Sequence, residues 1–344
     1  MIPYEHAGET VPHGGDLDAA RRVFPGAVEP LIDLSTGINP NPYPLPRLSA
    51  DLFARLPSPA AVDALAAIAA QAYGAPSAAH VVPAPGTQIL LPLVAALIQP
   101  GRAGLLTPSY GEFARAAALA GHQVKAADEL DACADADLVM IANPNNPDGS
   151  LLSGNSLRAF AEKNLRPHGG MLVVDKAFMD VGPRGASVAA DVAHGDVVVL
   201  RSFGKFFGLA GARLGFALAA PTVAKRLRAT LGPWAVSGPA LAFGAKALTD
   251  KAWIERTRRQ LAQAAERLDA TLESAGLEIL GGTSLFRLAR TPAANALFQH
   301  LGRAGIFVRT FPDNTSWLRF GLPPHERAWR RLQAALASFA GVLR

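Results

Sequence analysis

Apolar positions along the chain fall into two kinds of pattern. Short uninterrupted runs, such as LVMIA at 138–142 and VVVL at 197–200, have no polar face and suit strands covered on both sides. Between them lie longer stretches in which apolar residues recur at helical spacing. The runs predict strands at Gly104–Leu106, Ala136–Ala142, Met171–Asp175, Val197–Ser202 and Leu214–Ala219. Strand and helix patterns alternate through this region, which argues for a mostly parallel α/β sheet with helices on both sides. Ser58 caps a helix that begins with Pro59, runs to about Tyr73 and is ended by Gly74.

After about Gly232 the pattern changes. A long amphipathic helix over about Asp250–Ala275 leads into strands near Leu277–Leu280, Ser284–Leu288, Ile306–Arg309 and Trp317–Phe320, and a last helix covers roughly His325–Leu343. This reads as a separate α+β domain. The first 35 or so residues read as irregular and rich in Pro and Gly, a segment that packs across the two domains or onto a partner subunit. The expected division is therefore an N-terminal segment 1–40 packing with the small domain, a large α/β domain 41–230 and a small α+β domain 231–344.

With 344 residues, half of them hydrophobic, the chain can bury a sizeable core. The net charge of +5 and pI of about 9.6 suggest nucleic acid only if the charge is clustered. The densest groups, KRLR at Lys225–Arg228 and RTRR at Arg256–Arg259, sit in helical patterns and read as solvated faces. No nucleic-acid partner is expected, and an excess of cations equally suits an anionic small-molecule substrate. Cys133 is the only cysteine, which excludes an intrachain disulfide. MIPYEHAGET lacks the form of a signal peptide, and ILLPLVAALI at 89–98 is too short to span a bilayer. A cytoplasmic protein with no membrane partner is the expectation.

Four stretches carry candidate chemistry. In APGTQILL, Gly86, Thr87 and Gln88 form a turn into a helix, whose free amides suit a phosphate. ANPNNPDGS follows the strand LVMIA and places Asn146 in a rigid turn at its carboxyl end, where open α/β sheets hold ligands. In LVVDKAF, Asp175 ends an apolar strand and needs a cationic partner or several hydrogen bonds. In SFGKFFGLAGARLGF, Ser202, Lys205 and Arg213 can converge on one phosphate and one aldehyde.

Together these pieces describe a pyridoxal phosphate (PLP) site. Lys205 forms a Schiff base with the aldehyde, and burial within its aromatic segment is expected to lower the amine pKa and activate it. Asp175 pairs with the pyridine nitrogen and keeps it protonated. Asn146 donates to the O3′ oxygen. Arg213, Ser202 and the amides near Thr87 hold the phosphate, and Tyr110 in TPSYGEF stacks on the ring. No metal is called for.

NPNNPDG, VVDKAF and SFGKFFGLAGARLG, in that order and spacing, resemble the fold-type I PLP enzymes, specifically the class I/II aminotransferase family, over about His13 to Arg319. The resemblance implies the PLP-dependent transferase (aspartate aminotransferase-like) fold. That fold has a large, mainly parallel α/β/α domain with a seven-stranded sheet, a small α+β domain built from both chain ends, and a homodimer with shared active sites.

Two branches of the family fit. One transaminates histidinol phosphate or a related amino acid. The other decarboxylates L-threonine O-3-phosphate in cobalamin biosynthesis, and its opening resembles PHGGDLDAARRVFPG followed by LIDLSTGINP. On that likeness His13 and the amides of Gly14 and Gly15 are expected to contact a substrate phosphate, adjacent glycines letting the backbone approach an anion closely. Phe178, where many aminotransferases have a tyrosine that bonds O3′, points to the same branch. Arg319 matches the family's substrate-carboxylate arginine, and Arg309 is the candidate for the substrate phosphate. Two positions depart from the family. Lys176 follows Asp175 where Glu is usual, a second cation near the ring that can face away. Leu56 stands where relatives carry a tyrosine that reaches the partner subunit's cofactor.

Overall fold

A computed structural model describes residues 13–183 and 187–342. Its strands, among the described residues, are β1 (Ile32–Leu34), β2 (Val81–Ala84), β3 (Arg102–Leu106), β4 (Gln123–Ala127), β5 (Leu138–Ala142), β6 (Met171–Asp175), β7 (Val197–Ser202), β8 (Gly215–Leu218), β9 (Glu278–Thr283), β10 (Phe286–Arg290), β11 (Ile306–Thr310) and β12 (Trp317–Gly321). They are divided between two units.

The first unit holds Tyr43–Asn146 and Ser150–Trp253. Its seven-stranded sheet runs β2-β8-β7-β6-β5-β3-β4. Neighbours are parallel from β7 to β4, and β8 is antiparallel to both β7 and β2. Six strands therefore share one direction and present their carboxyl ends along one edge. The uninterrupted apolar runs become β6 and β7, buried at every position, and β5, buried at all but the last. Helix Pro59–Tyr73 starts where Ser58 Oγ accepts from the Ala61 amide and stops at Gly74 in the left-handed conformation.

The second unit holds residues 13–42, 147–149 and 254–342. Its five-stranded sheet runs β1-β11-β12-β10-β9, with β1 parallel to β11 and the other pairs antiparallel. Both sheets have the layered α/β and α+β character expected.

Several expectations need correction. Residues 1–12 of the opening segment lie outside the described residues, and the remainder is not irregular. Asp16 caps a helix at Leu17–Val23, and β1 pairs Ile32, Asp33 and Leu34 with Ile306, Phe307 and Val308. Three residues are too few for periodicity to reveal a strand whose partner lies some 270 positions away. The first unit runs on to Trp253, beyond the expected limit of 230. The reason is helix Gly238–Thr249, which lies against helix Pro59–Tyr73; a Cβ on Gly244 would stand 2.6 Å from Leu214 and 3.1 Å from Leu65. Strands β2 and β4 were absent from the expected set, the first short and holding Pro83, the second mostly exposed.

Candidate active site

The sequence-predicted cofactor residues of the first unit all lie along one edge of its sheet. Gly86, Thr87 and Gln88 follow β2, Tyr110 follows β3, and Asn146 follows β5. Asp175 ends β6, Ser202 ends β7, and Lys205 and Arg213 belong to the connection from β7 to β8. Register places them further. Ser202 and Ala84 both pair with Gly215, and Asp175 pairs with Ala142 and Leu200. Carboxyl ends of parallel strands are where open α/β sheets bind ligands.

Aromatic side chains fix the loop that carries Lys205. Phe203, Phe206 and Phe207 are buried, with ring centroids 4.5 Å apart for Phe203–Phe207 and 5.1 Å for Phe206–Phe207. Trp253 closes the cluster at 5.5 Å from Phe206 and 5.7 Å from Phe207. Each such phenyl group contributes roughly 2–3 kcal/mol by leaving water, so the loop is anchored on both sides of the lysine. Lys205 itself is only half-buried, contrary to expectation, and its Nζ stands 5.7 Å from the Phe178 ring centroid. The deeply buried amine is Lys176, at 0% exposure, where burial and the charge of Arg201 push its pKa down to about 7.

Asp175 is 7% exposed. Its Oδ1 accepts from the Ala177 amide at 2.9 Å. Burial pushes the carboxyl up to about 6, against the Ala177 hydrogen bond and the charges of Lys205 and Arg201. A carboxyl held this way suits a protonated ring nitrogen, whose charge and N–H would favour the ionised form. Arg201 is committed elsewhere: it lies 4.3 Å from the Tyr73 ring centroid and bonds Asp180 at 2.6 Å.

The turn after β2 is equally specific. Gly86 has φ +89° and its amide is spent on the Ala84 carbonyl at 2.7 Å. Its part is to leave room, since a Cβ there would stand 2.7 Å from Arg213 Nη2. A Cβ on Gly215 would likewise come within 2.7 Å of the Thr87 nitrogen. The Thr87 turn and the Arg213 guanidinium are thus held together without side chains between them, an arrangement of amides and positive charge that suits an anion. Asn143 locks the loop before Asn146 by accepting from the Leu152 amide and donating to its carbonyl, at 2.8 and 3.0 Å. Ser109 Oγ donates to Asn145 Oδ1 at 2.9 Å and ties this loop to the one after β3. These residues fit PLP.

In the second unit, Arg309 on β11 and Arg319 on β12 are register partners. Arg319 is buried, donates from Nη2 to the Ser35 carbonyl at 2.9 Å and has its pKa lowered to about 10 by burial and by Arg309. Two cations directly across a ladder repel, so the pair favours an anion. Gly14 sits against Ser35, whose carbonyl would be 2.5 Å from a Cβ there. The Gly15 amide, expected to face a substrate anion, instead donates to Ser35 Oγ at 2.8 Å. His13 is exposed. Sequence reading missed Ser35 and Asp33, which make this turn: Asp33 Oδ1 accepts from the Ser35 amide at 2.8 Å and from its hydroxyl at 2.6 Å. The Asp-Leu-Ser spacing of an Asx-type turn was the available signal.

Comparison with known proteins agrees with this geometry. A threonine-phosphate decarboxylase of Pseudomonas aeruginosa is 40% identical over 95% of this chain and 97% of its own length. Another, from a Sinorhizobium species, is 41% identical over 94% and 97%. The crystal structure of histidinol-phosphate aminotransferase from Sinorhizobium meliloti in complex with pyridoxal-5′-phosphate superposes with a TM-score of 0.82 at 22% identity, covering 100% of this chain and 99% of that one. Residues 32–332 match the family described as aminotransferase class I and II. With that match spanning most of its length, the chain belongs to the class I and II aminotransferase family.

Proposed function

We propose that this chain is a PLP-dependent lyase that converts L-threonine O-3-phosphate to (R)-1-amino-2-propanol O-2-phosphate and CO2, a step of cobalamin biosynthesis. The observation that carries the reading is its end-to-end likeness to two threonine-phosphate decarboxylases. Bound PLP supplies the electron sink into which a Cα bond standing perpendicular to its ring can break.

The chain's own groups supply the rest. Lys205 would hold the cofactor aldehyde through its ε-amine until the substrate amine takes its place, and the freed ammonium would donate a proton to the substrate Cα once CO2 has gone. Asp175 holds the proton on the ring nitrogen. Asn146 donates to O3′, a task Phe178 cannot share. Thr87, Gln88, Ser202 and Arg213 hold the cofactor phosphate, Gly86 gives it room, and Tyr110 stacks on the ring. Arg319 binds the substrate carboxylate, and Arg309 with His13 binds the substrate phosphate. Two arginines in register on neighbouring strands stand about 5 Å apart at Cβ, a fixed spacing that can hold both anionic ends of one small substrate. Holding both ends selects which Cα bond is presented.

The protein acts as a homodimer in the cytoplasm. Leu45, Phe53, Leu56 and Trp234 are large apolar side chains of the first unit at 66%, 70%, 68% and 55% exposure, surface that a subunit contact would cover. Among the described residues no helix is long and apolar enough to cross a membrane.

The test is incubation of the purified protein with L-threonine O-3-phosphate and no 2-oxo acid. CO2 released in step with the phosphorylated amine is the expected result. Turnover that appears only when a 2-oxo acid is added, with that acid converted to its amino acid, would make the protein an aminotransferase instead.

A further inference from the structure

β2 and β3 stand far apart in the sheet, with β8, β7, β6 and β5 between them. The segments that follow them nevertheless meet. Tyr110, after β3, donates its hydroxyl to Gln88 Oε1, after β2, at 2.9 Å. Gln88 Nε2 in turn donates to Glu112 Oε2 at 2.5 Å. Glu112 is the first residue of helix Glu112–Leu119 and is buried, with Arg115 Nη1 at 3.4 Å from the same oxygen. The helix dipole favours a carboxylate at that end.

The direction of this relay is set at its buried end. A carboxylate accepts and does not donate, so it fixes the Gln88 nitrogen toward Glu112 and the Gln88 oxygen toward Tyr110. Tyr110 must then spend its proton on Gln88. That bond and the perpendicular contact with Phe113, 5.6 Å between centroids at 88°, fix the plane of the Tyr110 ring. Gln88 is also part of the phosphate turn. One carboxylate therefore holds two cofactor contacts that come from strands separated by four others, on opposite sides of the sheet's centre.

We propose that Glu112 is a positioning residue for the cofactor, acting through the Gln88 side chain to set the Tyr110 ring and the Gly86–Gln88 turn together. The proposal rests on the reading of Tyr110 and the Gly86–Gln88 turn as cofactor contacts. It assigns Glu112 no contact with substrate or cofactor.

A double-mutant cycle tests it. Apoprotein is titrated with PLP, following fluorescence and the visible circular dichroism band of the bound cofactor, for wild type, Glu112→Gln, Tyr110→Phe and the double variant. A glutamine at 112 has the same shape but can donate or accept, so the Gln88 amide loses its fixed direction. Each single variant is expected to weaken binding about tenfold and reduce the dichroism band, Glu112→Gln by losing a hydrogen bond to a charged group and Tyr110→Phe by losing the bond to the Gln88 oxygen that this charge orients. The double variant is expected to match the worse single variant. Losses that multiply, or a Glu112→Gln variant with wild-type affinity and dichroism, overturn the proposal. If Glu112→Gln does not fold, Glu112→Asp, which keeps the charge but draws it back from Gln88, takes its place in the same cycle with the same criterion. A wild type that binds no PLP overturns the cofactor reading and this proposal with it, whereas a wild type that binds while the variants act independently overturns this proposal alone.

Discussion

The two sheets present their charged groups by different means. In the seven-stranded sheet the groups sit at the last residue of a buried strand or on the turn just past it, and the strands serve as a frame. In the five-stranded sheet Arg309 and Arg319 sit within strands and owe their pairing to register. A turn can move without disturbing the ladder behind it, but a register cannot shift by one residue without turning every side chain to the other face. The first arrangement suits many contacts to a large, fixed cofactor. The second suits an invariant distance between two charges, as a small substrate with an anion at each end requires.

The comparison predicts that the two sets fail differently. Lys205→Ala should remove the covalent hold on the cofactor, abolish the near-ultraviolet or visible absorption of the Schiff base and lower kcat on the order of 10⁴-fold, as losses of essential nucleophiles do. An absorption band that survives in this variant would break the assignment of the first set. Arg319→Lys should leave that absorption intact and raise KM roughly 100-fold, because a lysine cannot reproduce a two-pronged carboxylate contact. If the variant loses cofactor instead of substrate affinity, the division of labour between the two sheets is wrong.

Legibility in the sequence followed the same division. Groups on turns after apolar runs were readable because the run, the turn residues and the chemistry stand together in ten residues or so: ANPNNPDGS, LVVDKAF and SFGKFFGLAGARLGF each do this. The pairing of Arg309 with Arg319 and the bond from Arg319 to the Ser35 carbonyl were not readable in this way, since they depend on which strand lies beside which; the Asp33–Ser35 turn had a local signal that was overlooked. Glu112 was hidden because a lone acid at a helix start reads as a cap, and its partner Gln88 lies 24 residues away. The two lysines were exchanged in one respect. An aromatic segment made Lys205 look buried, but its neighbours turn inward and leave it half-exposed, while the less conspicuous Lys176 is enclosed completely.

That exchange yields a smaller effect. Lys176 has a lowered pKa, so the folded protein binds fewer protons there than the unfolded chain from about pH 7 up to the ordinary lysine value of 10.5. Stability contributed at this position is therefore least at and below pH 7 and returns as pH rises toward 10.5. Lys176→Met, which keeps the volume and removes the charge, should stabilise the protein by about 2 kcal/mol at pH 7. Thermal melts from pH 7 to 10 should show the gain shrinking. A variant less stable than wild type at pH 7 would mean that the buried ammonium is held by partners worth more than its desolvation.

The smallest predicted effect distinguishes the frame from the cofactor. Asp175 has a raised pKa of about 6, so between the ordinary carboxyl value of 3.8 and 6 the folded apoprotein holds a proton that the unfolded chain has lost. Its contribution to apoprotein stability is full below 3.8 and is lost as pH rises through 6. Cofactor binding should run the opposite way, because a protonated ring nitrogen needs the ionised carboxylate. With the other groups unchanged, apparent PLP affinity should fall about tenfold for each pH unit below 6, a cost of about 1.4 kcal/mol per unit. Asp175→Asn should flatten both profiles while leaving the fold in place. Titrations of apoprotein from pH 4.5 to 8 read the first, and melts over the same range read the second. An affinity that ignores pH in wild type, or that still follows it in the variant, would move the ring-nitrogen partner away from β6 and leave Asp175 as a cap for Ala177.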